Sequence, residues 1–138
     1  MKSIICVNYK VFIGEKILRK IQLDSYKKIC LIVDKNQKNN ILNYFFEEIK
    51  SEFDIIEIES SEINKNISSV LNIWDFLSQN NYNKNSLIIN LGGGVICDMG
   101  GFCASTFKRG IDFLNIPTTL LSMVDASIGG KNGINFLG

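Results

Sequence analysis

The chain has 138 residues, of which 46% are hydrophobic and 21% charged, the composition of one folded globular domain able to bury a core. Its 15 basic and 14 acidic residues give a formal charge of +1 and are well mixed, which argues against a nucleic-acid or anionic-membrane partner and for a small soluble ligand. Histidine is absent, which excludes imidazole bases, Ser-His triads and His-containing metal motifs within these residues.

At the start, Ile4–Val7 and Val11–Ile13 read as a hairpin or an edge. The Ile4–Val7 run is broken at once by Asn8 and Lys10, unlike a secretory signal, and no apolar segment is long enough to span a bilayer. Ile29–Val33 reads as a buried strand ending at Asp34. A helix is expected over residues 36–50, with Ile41, Leu42, Phe45, Phe46 and Ile49 on its apolar face. Phe53–Ile58 is the next strand. Asn66 is placed to cap a helix with the stripe Ile67, Val70, Leu71, Trp74 and Leu77.

Ser86–Leu91 forms a third buried strand that runs into Gly92-Gly93-Gly94. Val95–Thr106 reads as a helix rich in small residues, and Ile111–Ile116 as a strand closed by Pro117, the only proline. This β-α-β alternation predicts an α/β fold: a Rossmann-like parallel sheet with helices on both faces. Ligands of such sheets bind beyond the carboxyl ends of the strands, so Asp34, Ser60–Lys65, Gly92–Gly94 and Thr118-Thr119 are expected to converge. Of the four cysteines, Cys30, Cys97 and Cys103 fall in apolar runs and none forms a CxxC pair; reduced thiols in a cytoplasmic core are expected.

Three glycines between a buried strand and a helix exceed the needs of a tight turn, and favour phosphate held at a helix N-terminus. The usual dinucleotide fingerprint does not fit: Cys97 occupies its third glycine position, and Asp112, the acid about twenty residues on, opens a strand instead of closing one. Asp98 is either a favourable acid near the helix N-terminus or an acceptor for a polar cofactor group. Thr118 and Thr119 either cap the following helix or donate to a ligand. Glu62 and Lys65, spaced i and i+3, suit a surface ion pair or ribose recognition. In VDASIGGKNGIN (Val124–Asn135), Asp125 and Asn132 break a P-loop pattern. The loop nevertheless sets Asp125, Ser127, Lys131, Asn132 and Asn135 among glycines, which leans toward a site.

Taken in order, LGGGVICDMGGF (Leu91–Phe102), KRGIDFLNIPTTLL (Lys108–Leu121) and VDASIGGKNGIN resemble 3-dehydroquinate synthase, and Asp34-x-Asn36 and Glu62-x-x-Lys65 agree with that family. The resemblance implies the family's N-terminal NAD-binding α/β domain, spanning residues 1–138, without the helical metal-binding domain that follows it. By resemblance, Asp34 and Asn36 lie near the adenosine; Ser61, Glu62 and Lys65 belong to the ribose-binding turn. Gly93, Gly94 and Val95 would hold the diphosphate, and Asp98, Thr118 and Thr119 the nicotinamide half. Lys131 would reach cofactor and substrate, Asp125 the substrate, and Arg109 the phosphate of a neighbouring subunit's substrate, which implies a homodimer. The implied reaction cyclises 3-deoxy-D-arabino-heptulosonate 7-phosphate to 3-dehydroquinate with loss of phosphate, using NAD and a divalent metal, zinc or cobalt.

The sequence departs from the family at Ser61, Cys97, Ala126 and Asn132, each small or polar. No metal-ligand set is expected in these residues, and the apolar end Phe136–Gly138 suggests truncation; the fragment alone is expected to be inactive. Another sugar-phosphate cyclase, a polyol dehydrogenase of the same superfamily, and a non-catalytic nucleotide-binding module are the alternatives.

Overall fold

The computed structural model describes residues 1–137, apart from the side chain of Lys38; the expected boundary at Gly138 lies outside the described residues. Strands β1 (Lys2–Ile5) and β2 (Lys10–Ile13) pair antiparallel as a separate hairpin. The main sheet has four parallel strands, β3 (Lys28–Asp34), β4 (Asp54–Ile58), β5 (Ser86–Gly92) and β6 (Asp112–Pro117), in the order β4-β3-β5-β6. Helices α1 (Lys38–Glu48), α2 (Ile67–Gln79) and α3 (Gly94–Thr106) make the crossovers, and short α4 (Leu120–Val124) follows β6.

β3 and β5 are mostly apolar and buried along nearly their whole length because the sheet is covered on both sides. Side chains alternate across it: Ile29, Leu31, Val33, Leu87, Ile89 and Leu91 join Phe45 of α1 and Ile49 just past its end in one core. Cys30, Ile32 and Ile88 point the other way, onto Val70, Ile73 and Leu77 of α2 and Ile96, Met99 and Cys103 of α3. The predicted parallel sheet with helices on both faces is therefore observed. The strand order adds what the sequence pattern does not show. From β3 the chain moves one way to β4 through α1, then the other way to β5 through α2. The reversal falls between β3 and β5, which puts the switch point at Asp34 and Gly92–Gly94.

Three local expectations are corrected. The first helix begins at Lys38, not residue 36, because the Asp34 carboxylate accepts the Asn36 N–H and the Asp34 carbonyl accepts the Gln37 N–H, which winds these residues into a turn. It also ends before Lys50, since Ile49 turns extended to enter the core. In α2 the buried stripe is Val70, Ile73 and Leu77, with Trp74 half-buried, whereas Ile67 and Leu71 are 39% and 50% exposed. The helix is rotated because only the i, i+3, i+7 row meets the sheet. Asn66 caps α2 as expected, accepting the Ser69 N–H at 3.0 Å.

Candidate functional site

The carboxyl edge of the sheet gathers most of the predicted residues. Asp34 ends β3 almost fully buried, and its carboxylate accepts both the Asn36 N–H and the Ser60 hydroxyl, so the loops after β3 and β4 are tied together. Asn36 itself stays exposed beside it. Ser61 caps a 3-10 turn over Glu62–Asn64.

Lys65 does not pair with Glu62. Its ammonium lies 2.7 Å from the Asp98 carboxylate on the first turns of α3, with both side chains largely enclosed. The i, i+3 ion pair is not made because the 3-10 turn directs the two side chains to different neighbours. Glu62 instead accepts from the Asn135 side-chain amide at 3.1 Å, and the Asn135 N–H bonds the Lys65 carbonyl at 2.7 Å. The last described residues therefore return to the site, through a single parallel bridge between Asn66 and Asn135.

The three glycines differ. A Cβ on Gly92 would come within 2.8 Å of Ile96, so that glycine serves strand-to-helix packing. A Cβ on Gly93 would meet only Thr119, at 3.5 Å, and one on Gly94 only Ala126, at 3.9 Å, both ordinary contacts. None of the three has a positive φ. Neither internal packing nor backbone conformation accounts for the bareness of Gly93 and Gly94. The N-terminus of α3 also receives no side-chain cap, so its opening N–H groups remain available to an anion.

The two threonines divide the readings between them. Thr119 caps α4 in a capping box with Ser122. Thr118 continues the β6 ladder, its N–H bonding the Gly92 carbonyl at 3.0 Å, while its hydroxyl is buried and makes no hydrogen bond. An orphaned hydroxyl beside an uncapped, bare helix end is the donor expected of a ligand site. Thr118 also lines a mainly apolar cleft of about 360 Å³ with Leu91, Ile116, Pro117, Ile41 and Tyr44. The bare α3 terminus and this hydroxyl fit a dinucleotide. A metal is different: among the described residues, no three of Cys, Asp, Glu or His gather to hold one.

Asp125 follows α4 and is exposed, with Ala126 drawn toward Gly94. Lys131 is exposed too, between Gly130 and Asn132, whose side chain lies against Gly101 of α3. Arg109 is not brought to this edge. α3 carries the chain away from the glycines, and Arg109 precedes β6, whose first residue Asp112 pairs with Leu87 near the start of β5. It lies at the amino edge, exposed, in a strained run in which Lys108, Arg109 and Gly110 all have positive φ.

Burial raises the Cys97 thiol to about 12, with Asp98 adding to the effect, and raises Cys103 to about 12. Burial also raises Cys30 and Tyr82, whose hydroxyl donates to Asp54 at 2.7 Å. Cys97 therefore offers no thiolate to the site. Sequence reasoning missed Asn90, buried on β5, which donates to Asn115 at 2.8 Å and packs against Gly100; the paired glycines inside α3 were its only signal.

A family model described as 3-dehydroquinate synthase N-terminal matches residues 55–138. The 3-dehydroquinate synthase of Helicobacter pylori is 49% identical over 129 residues, covering 93% of this chain and 36% of the relative. That of Pelagibacter ubique is 42% identical over 135 residues, with 92% and 36% covered. A bifunctional 3-dehydroquinate synthase/phosphatase from Fusobacterium nucleatum is 41% identical over 133 residues, with 91% and 19% covered. Thus the chain spans 36% or less of each of these three relatives. Among solved structures, a 2-deoxy-scyllo-inosose synthase complexed with carbaglucose-6-phosphate, NAD+ and Co2+ superimposes with a TM-score of 0.86 at 24% identity, covering 99% of this chain and 40% of that one, a likeness of fold. A 2-epi-5-epi-valiolone synthase from Streptomyces hygroscopicus with NAD+ and Zn2+ gives 0.80 at 27% identity, with 99% and 39% covered.

Proposed function

This chain belongs to the 3-dehydroquinate synthase N-terminal family, and on that premise we propose that residues 1–138 form the NAD-binding domain of a 3-dehydroquinate synthase. The observation that carries the reading is the uncapped α3 terminus with two unexplained bare glycines beside the orphaned Thr118 hydroxyl. In this reading the N–H groups of Gly94 and Val95, approached across Gly93, hold the diphosphate. Glu62 and Lys65 serve a ribose, with Ser61 shaping their turn, and Asp34 and Asn36 serve the adenosine. Thr118 donates its hydroxyl proton to the nicotinamide half; Thr119 and Asp98 position the same region, with Lys65 steadying Asp98. Lys131 and Asp125 bind the heptulosonate phosphate, the lysine meeting its negative charge. A bound dinucleotide supplies reversible hydride transfer at the substrate's hydroxyl. Among the described residues no set of side chains gathers to hold a metal.

The position of Arg109 at the opposite edge supports a homodimer in which each copy offers this guanidinium to the other's substrate phosphate. The buried, protonated thiols suit a cytoplasmic setting.

The test is a graft of residues 1–138 in place of the matching segment of the Pelagibacter ubique synthase. The graft is expected to bind NADH, followed by fluorescence, and to release phosphate from 3-deoxy-D-arabino-heptulosonate 7-phosphate. Turnover only of another sugar phosphate would favour a different cyclase. A graft that binds NADH and turns over neither substrate would favour a non-catalytic module.

A further inference from the structure

The segment carrying Lys131 has little to hold it. Upstream, Asp125–Ile128 is fixed by a local turn, in which the Ser127 N–H bonds the Ser122 carbonyl and the Ile128 N–H the Asp125 carbonyl. Downstream, the chain is next anchored at Asn132, against Gly101, and at Asn135. Between these points Gly129 and Gly130 have φ of 91° and 72°, and beyond their own chain neighbours no atom lies within 4 Å of where either Cβ would stand. Packing therefore does not restrain the glycine pair.

A single hydrogen bond does. Tyr9 sits in the turn of the β1–β2 hairpin, half-buried, with its carbonyl accepting the Cys6 N–H at 3.0 Å. Its hydroxyl oxygen accepts the Gly129 N–H at 2.8 Å, across 120 residues of sequence. Among the described residues it is the one tertiary hydrogen bond made by the chain between Ile128 and Asn135. The hairpin has no pairing with the main sheet, so this contact gives it a role at the site edge.

We infer that Tyr9 is a positioning residue: its hydroxyl latches Gly129, and so sets where the glycine pair presents Lys131. The inference rests on the reading of Lys131 as a ligand of the substrate. A free glycine pair samples left- and right-handed backbone alike, so an unlatched lysine spends less time in any one pose.

Tyr9→Phe removes only the hydroxyl and keeps the ring in the hairpin. In the chain itself, amide hydrogen exchange at Gly129 should quicken about tenfold, the order of one net hydrogen bond, while amides of β3 and β5 keep their rates. In the graft, the same substitution should lower kcat about tenfold or more with the KM for NAD changed less than about twofold. Exchange at the wild-type rate in Tyr9→Phe overturns the latch. Faster exchange with kcat unchanged overturns the positioning role. An inactive wild-type graft counts against the synthase reading alone, and the exchange measurement then decides the latch.

Discussion

Gly92, Gly93 and Gly94 are adjacent, yet their missing Cβ atoms answer to different demands. At Gly92 a methyl would press into Ile96, itself fully buried, and neither strand nor helix can retreat. Gly92→Ala should therefore cost about 1–3 kcal/mol in urea unfolding, the usual range for overpacking. Alanine at Gly93 or Gly94 meets only ordinary contacts, and should cost under about 1 kcal/mol, most of it at Gly93 because alanine is a poor N-cap. NADH binding by the graft should nevertheless weaken about tenfold at either, since the methyl would occupy the approach to the helix end. A loss of stability equal to that of Gly92→Ala would show that these two glycines serve packing instead. The triple glycine was visible in the sequence as a loop for phosphate. Which glycine packs and which stays bare was not, because that depends on how Ile96 of α3 turns toward Gly92 and on Thr119 and Ala126, on either side of α4, reaching Gly93 and Gly94.

At the scale of elements, α3 is seated by polar side chains fitting into its glycines. A Cβ on Gly100 would fall 1.8 Å from Oδ1 of Asn90, which has zero exposure and is held by its bond to Asn115. A Cβ on Gly101 would fall 2.1 Å from Oδ1 of Asn132, on the returning tail. The geometric clashes are similar, but the neighbours differ in freedom. Gly100→Ala should cost about 3 kcal/mol, the upper end for overpacking, because Asn90 cannot move. Gly101→Ala should cost less and lift the tail instead, releasing Asn135 from Glu62 and loosening the backbone around Lys131. Trypsin should then cleave after Lys131 several-fold faster in Gly101→Ala than in the wild type or Gly100→Ala under folded conditions. Equal rates would place the adjustment elsewhere. The small residues of this helix predicted close packing; that their partners would be asparagines could not be read from α3 alone.

For the whole molecule, alkaline pH is the informative axis. Cys97 and Cys103 have folded values raised to about 12 by burial, above the ordinary thiol value of 9.0. Above pH 9 the unfolded chain releases these protons while the folded chain keeps them, so stability falls as pH rises, up to the folded values. Thermal unfolding should be flat from neutrality to about pH 8 and drop above about pH 9, each buried thiol adding a slope of about 1.4 kcal/mol per pH unit. Cys103→Ala should give a shallower alkaline slope than the parent chain; an identical slope would mean this thiol does not contribute. Much of the molecule was legible without coordinates. Apolar runs covered on both sides specified β3 and β5, helical spacing specified the buried face of α1, and Asn66 specified a cap, because each depends on neighbours only a few residues away. Strand order, and with it the switch point between Asp34 and Gly92, came only from the tertiary structure. So did the pairing of Lys65 with Asp98, the orphaning of the Thr118 hydroxyl, the removal of Arg109 to the opposite edge and the meeting of Tyr9 with Gly129. These relations join residues tens of positions apart, and which of them meet is decided when the sheet closes and its two faces are covered, an outcome that local spacing does not encode.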